Sequence, residues 1–82
     1  MKTFKVRTKY TYCEAVKWEP EMQLPAGFEE VQTQDGTWWL RTPSGCNLHS
    51  IAPGDFLVHG EYRAEEWSVH PAKWFHDRYE IL

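Results

Sequence analysis

The chain has 82 residues and a formal net charge of −3, enough for one domain spanning 1–82 and too acidic overall to argue for a large nucleic-acid footprint. No apolar run nears the roughly 18 residues that cross a bilayer as a helix, and no apolar stretch follows the charged start, so neither a membrane span nor a secretory signal is expected. A domain this short keeps much of its surface wet, and its five Trp, four Phe and four Tyr are the compensation, since each aromatic buries roughly 150–250 Å².

The opening segment alternates. Phe4, Val6, Thr8, Tyr10, Tyr12, Val16 and Trp18 take even positions, while Lys5, Arg7, Lys9 and Lys17 take odd ones. Period two predicts a strand with one buried face. Its length predicts a bend or break near Thr8–Thr11. Glu14 interrupts the even face and reads as an edge residue or a local hydrogen-bond acceptor. Pro20, Pro25 and Gly27 make 19–27 a loop with room for one helical turn. Asp35-Gly36, between Glu29–Gln34 and Thr37–Thr42, is a two-residue hairpin signature. In the second of these strands Trp38 and Leu40 share one face; Thr37, Trp39 and Arg41 share the other. Both tryptophans can be buried only if the strand is covered on both sides.

Thr42-Pro43-Ser44-Gly45 is a second turn, followed by a strand at Cys46–Ile51. Ala52-Pro53-Gly54-Asp55 is a third, with Pro-Gly at its centre as type II requires. Phe56–His59 reads as a short strand, Gly60–Ala64 as a turn, and Glu65–His70 as the returning strand. There Trp67 and Val69 share one face, and Glu66 and Ser68 the other. Pro71–Arg78 reads as a short helix, with Pro71 at the first helical position, Phe75 buried and Trp74 near the rim. Tyr79–Leu82 closes the sheet. Short strands joined by tight turns predict a mostly-β fold, α+β at most: a small antiparallel barrel or roll of about five to six strands with one short C-terminal helix.

Several of these segments together resemble a family of small, uncharacterised phage and prophage proteins. The resemblance rests on Lys9-Tyr10, Glu14-Ala15-Val16-Lys17-Trp18, then Leu40, Thr42 and Gly45. It continues through Pro53-Gly54-Asp55-Phe56-Leu57-Val58 and Gly60-Glu61-Tyr62, and ends on Pro71, Phe75 and Tyr79-Glu80. The pieces run in order over nearly the whole chain. Thr11-Tyr12 stands where the family usually has a Pro, the 19–27 loop is Pro-broken, and 61–67 is longer than the usual hairpin. The resemblance implies a compact β-rich fold and a phage setting, hence a host bacterial cytoplasm. It implies no chemistry, so it carries over no catalytic residue.

The residues themselves point to no reaction. Cys46-x-x-His49 has ligand-like spacing, and Cys13, His59, His70 or His76 could extend it. A structural zinc site normally has two such pairs, and only one is present, so no metal is expected. Cys13 and Cys46 read as free thiols of a reducing compartment rather than a disulfide framework. His49 and Ser50 are strand neighbours whose side chains point apart, so His49 cannot activate Ser50. Glu29-Glu30 and Glu65-Glu66 are adjacent pairs with the same geometry, and general acid–base work needs carboxylates that face one pocket. No Gly-rich phosphate cradle is present, and no enzyme activity or cofactor is expected. Pro53, Gly54 and Asp55 read as a structural turn whose carboxylate caps backbone N–H groups.

Charge is unevenly placed. Lys2, Lys5, Arg7 and Lys9 fall in 1–10 with no acid, and Glu19, Glu21, Glu29, Glu30 and Asp35 fall in 19–40 with no base. The first strip reads as a solvated strand face. Trp38, Phe56, Val58, Trp67, Val69 and Phe75 suit the core, whereas Trp39, Tyr62 and Trp74 fall outward or at a rim. With Arg41 beside Trp39, these are the candidate interface residues, since Trp and Tyr bury much area at little entropic cost. The competing reading packs Trp39 under the 19–27 loop, sealing a second small core. The function expected is therefore a non-enzymatic phage accessory protein that binds and modulates a host protein in replication, transcription or defence. A homodimer through an open strand edge is compatible with it. The alternatives are a nucleic-acid-binding factor using Lys5, Arg7, Lys9 and Arg41, and a minor virion component.

Overall fold

Alternation and tight turns produce eight strands and one helix along the described chain. They are β1 (Phe4–Arg7), β2 (Tyr12–Lys17), β3 (Glu29–Gln32), β4 (Trp38–Arg41), β5 (His49–Ile51), β6 (Phe56–His59), β7 (Trp67–His70), α1 (Ala72–Arg78) and β8 (Glu80–Ile81). The structure is a computed structural model and describes residues 3–7, 12–43, 45, 47–61 and 66–82. The strands form a five-stranded sheet in the order β7-β6-β2-β1-β8 and a three-stranded sheet in the order β3-β4-β5. Every pairing is antiparallel.

The fold is mostly β with one short C-terminal helix, as expected, but the strands do not close into a barrel and number eight rather than five or six. The three middle strands pair among themselves. They pack face-on against the larger sheet, burying Leu40 and Ile51 against Val16, Trp18 and Leu57. A side-chain layer, not a continued hydrogen-bond ladder, joins the two sheets. The larger sheet is therefore covered twice. On its other face α1 packs Phe75 and Tyr79 onto Val6, Cys13, Ala15, Phe56 and Val58. Phe75 stacks on Phe56 with ring centroids 3.8 Å apart and 8° between planes, and Phe4 meets both edge-on. Strand β6 sends Phe56 and Val58 to the helix core and Leu57 to the inter-sheet core, so all three are buried.

The opening segment departs from its expected single even-numbered face. β1 and β2 are antiparallel neighbours, with Phe4 opposite Ala15 and Val6 opposite Cys13. In β2 the odd positions Cys13 and Ala15 face the helix core, while Val16, with Trp18 just beyond the strand, faces the other sheet. Both faces are apolar because β2 lies inside the sheet, and Glu14 is exposed on an interior strand rather than at an edge. The bend expected near Thr8–Thr11 lies outside the described residues.

The Asp35-Gly36 turn is one residue longer than its two-residue signature. Thr33 N–H donates to Thr37 O at 2.9 Å and Gly36 N–H to Thr33 O at 3.0 Å, so Gln34, Asp35 and Gly36 form a three-residue loop. In this form a turn is followed by a positive-φ residue, and Gly36 has φ +88°. The Asp35 carboxylate accepts from the Thr33 hydroxyl and from Thr37 N–H, and these bonds, Thr33 first, hold it below the usual carboxylate range. The loop at 19–27 contains turns but no helical turn; Met22 and Leu24 pack down on the inter-sheet core. Strand β5 is confined to His49–Ile51. Pro71 sits at the helix cap with ψ 147°, so α1 starts at Ala72, one position later than expected.

Candidate functional site

Three groups of residues carry the features that the sequence singled out. The first is the turn Pro53-Gly54-Asp55. Gly54 has φ +93° and Asp55 N–H donates to Ala52 O at 3.0 Å, the type II arrangement. Asp55 Oδ2 accepts from Ala52 N–H at 2.9 Å. Its Oδ1 accepts from Ala72 N–H at 3.0 Å, seventeen residues away at the start of α1. Pro71 provides no side-chain cap for α1, and Asp55 supplies one from across the fold. The backbone of Trp18 brackets the same turn: its N–H donates to Asp55 O at 2.7 Å and its carbonyl accepts from Gly54 N–H at 2.9 Å. An open depression of about 310 Å³ lies here, lined by Thr37, Ser50, Ile51, Ala52, Asp55 and Pro71. Both carboxylate oxygens of Asp55 are committed to backbone amides, so its role is structural.

The second group was not anticipated as a unit. His70 is buried at the end of β7, and its Nε2 lies 3.0 Å from Glu61 Oε2 and 2.9 Å from Ser68 Oγ. Ser68 and His70 are two apart on one strand face. Glu61 reaches them from beyond β6. An acid–His–Ser relay uses the two ring nitrogens for different partners. Here one nitrogen serves both, so the group is a polar clasp and lacks the relay geometry. Trp74 stacks on the His70 ring at 4.2 Å and 12°, and the Arg78 guanidinium lies 4.5 Å from a Trp74 ring. Burial pushes His70 down from its ordinary 6.5, with Arg78 adding to it, while the hydrogen bond and charge of Glu61 oppose them. Burial pushes the Cys13 thiol up, and the Glu61 charge adds to that. Sequence could have placed Ser68 and His70 together by strand period, but Glu61 enters only through the tertiary path of the chain.

The sign of the pH response follows. The unfolded chain binds a proton at His70 more tightly than the folded one. Stability is complete above pH 6.5 and falls as pH drops from 6.5 toward the lower folded value. Glu61→Gln removes the group that opposes the shift, so His70 titrates lower still and the acid loss grows. Proton NMR of the His70 ring, with denaturant titrations on either side of pH 6.5, checks this. An upward shift of His70 in Glu61→Gln would contradict it.

The third group is the outer face of the three-stranded sheet. Trp39 lies opposite Val31 on β3 and Ser50 on β5, and Arg41 lies opposite Glu29. Arg41 Nη2 pairs with Glu29 Oε2 at 3.1 Å. Trp39 is half-buried and packs in neither core. The second core beneath the 19–27 loop does exist, yet Trp38 joins it and Trp39 does not. Trp38, Trp67 and Val69, expected in the core, are only partly buried at its margin. Of the interface candidates, Trp39 and Arg41 share this face and Trp74 belongs to the His70 clasp. Tyr62 lies outside the described residues, as do Cys46, Lys2, Lys9 and Glu65. Among the described residues no three His, Cys, Asp or Glu side chains converge as a metal-binding group. No described helix is long and apolar enough to cross a membrane.

The described cations of the nucleic-acid reading each face a carboxylate. Arg7 pairs with Glu80 at 2.7 Å, Arg41 with Glu29, and Lys5 lies opposite Glu14 in the β1–β2 register. No protein-family model, curated protein or solved structure matches the chain.

Proposed function

We propose that this chain is a non-enzymatic phage accessory protein that binds a host protein in the bacterial cytoplasm and modulates it by steric occlusion. The observation that carries the reading is the placement of Trp39. Of the five tryptophans, Trp18 and Trp38 pack in or on the inter-sheet core, Trp67 packs at its margin, and Trp74 lies on the helix core. Trp39 alone packs against neither, on a sheet face beside a charged pair. A large aromatic left there fits an interface anchor bordered by register-setting charges. Trp74 is already engaged by His70 and Arg78, so it ranks behind Trp39. The ordered motifs from Lys9 to Glu80 support the phage setting, with replication, transcription or defence as the processes a host target would serve. The carboxylates beside Arg7 and Arg41 weigh against a phosphate-binding strip. A homodimer is compatible with the same reading, since Ile81 and Leu82 are exposed at the β8 edge.

Trp39→Ala is expected to weaken partner binding by about 2 kcal/mol or more, the scale of an interface hot spot. It should cost folding stability about 1–2 kcal/mol, because the half-buried ring gives up packing on the sheet face while both cores stay filled. Affinity capture from nuclease-treated host lysate, compared between wild type and Trp39→Ala, tests the reading. A retained protein lost in the variant supports it. Equal retention, or retention that needs intact nucleic acid, counts against it.

A further inference from the structure

We propose that the partner presents an extended basic segment, which adds as a fourth strand to the open edge of β3. The proposal rests on the protein-binding reading and names what the surface would take. Strand β3 ends the three-stranded sheet, and the phase of its ladder is set by the bond from Thr33 N–H to Thr37 O. In an antiparallel pair, hydrogen-bonded and non-bonded residues alternate. Val31–Trp39 and Glu29–Arg41 are then bonded pairs, and Glu30–Leu40 and Gln32–Trp38 are not. The backbone N–H and C=O of Glu30 and Gln32 therefore point away from β4, toward an edge that no described strand pairs. The other edges are less open: β8 is two residues long, and β5 and β7 lie against each other.

Charge chooses the occupant. Glu29 and Glu30 lie on the edge strand, and Glu21 N–H donates to Glu30 Oε1 at 3.3 Å, which brings a third acid alongside. No base occurs between 19 and 40, and Arg41 is taken up by Glu29, so Glu30 and Glu21 keep the edge acidic. Two copies of this edge repel each other, so it is poorly suited to self-pairing and complementary to a basic strand. The chain's own described basic strand cannot serve, because β1 has β2 on one side and β8 on the other. A strand added beside β3 places alternate side chains on the face of Glu29 and Val31, with Trp39 one strand beyond. Lysine or arginine on the face of Glu30, alternating with apolar residues on the face of Val31 and Trp39, suits the edge.

A display library of random eight-residue peptides, selected on the wild type, on Gln32→Pro and on Glu29→Lys/Glu30→Lys, tests this. Proline removes the outward N–H that strand addition uses, at an edge position where it is tolerated. Basic, alternating peptides should be enriched on the wild type, weakened at least tenfold by Gln32→Pro, and replaced by acidic ones on the charge-reversed variant. With an enriched peptide bound, amide exchange at Glu30 and Gln32 should slow. No enrichment, enrichment of uncharged or acidic peptides on the wild type, or unchanged exchange overturns the proposal. So does protection of the same amides that grows with protein concentration alone, which would make a second copy the occupant. A host protein captured through Trp39 but indifferent to Gln32→Pro would overturn strand addition and leave the protein-binding reading standing.

Discussion

Trp18→Ala is expected to cost about 3–5 kcal/mol, the range for emptying a buried Trp site, and to leave the chain largely unfolded under mild denaturant. A domain of 82 residues has roughly 4–12 kcal/mol to lose at ordinary per-residue stability. Trp18 is fully buried between the sheets, meets Trp38 edge-on at 5.8 Å, and is the largest fully buried side chain. Its removal empties the layer that joins the sheets. Trp18→Phe should behave differently. The indole Nε1 is buried without a hydrogen-bond partner, a desolvation cost of about 1–3 kcal/mol that phenylalanine does not incur. That relief offsets part of the lost area, so the expected net cost is under about 1.5 kcal/mol. Thermal unfolding of the two variants checks the ordering. Equal losses would mean that a ring in this layer does not carry the stability assigned to it.

Asp55→Ala is expected to lower stability by about 2–4 kcal/mol, since hydrogen bonds to a charged group contribute about 1.5–3 kcal/mol each and some solvent reaches the site. At about 4–8 °C per kcal/mol for a domain of this size, the melting temperature should fall by roughly 8–32 °C. The size of the effect comes from the two amides served. One closes the turn before β6, and the other begins α1, which has no cap of its own. Asp55→Asn retains one acceptor oxygen and can satisfy only one amide at a time, so it should lose about half as much. Calorimetry on wild type, Asn and Ala variants should give that graded series. An alanine variant that melts with the wild type would remove Asp55 from the structural account.

Both variants explain why a short turn motif stands out in this chain. Gly54 lies in the left-handed region, Asp55 spans two elements, and the Trp18 backbone holds the turn from the other side. The ordered motif and the sheet layer thus meet at one place. The His70 clasp lies elsewhere, on the helix side of the larger sheet. Its pH response is separable from these two stability effects.

The local chemistry of the chain determined its elements. Alternation placed β1, Asp35-Gly36 placed a hairpin turn and the strand after it, turns on either side placed β6, Pro53-Gly54 placed a type II turn, and Pro71–Arg78 read as a short helix with Phe75 inward. Tryptophans adjacent on β4 had to face opposite ways, and that part followed from strand geometry alone. Pattern also placed Trp38 inward and Trp39 outward, with Trp39 beneath the 19–27 loop as the competing reading. Only packing against Trp18 and Leu57 decided that Trp38 lies at the inter-sheet core and Trp39 lies outside it. The same holds for β2: its one-face pattern was mixed because it lies inside a sheet covered on both sides, and neighbours from distant sequence supply that cover. Barrel or layered sheets, the company of Glu61 and His70, and the edge place of β3 in its sheet were likewise tertiary outcomes. Period and turn residues act over a few positions, whereas covering a face or leaving an edge open depends on contacts between segments tens of residues apart.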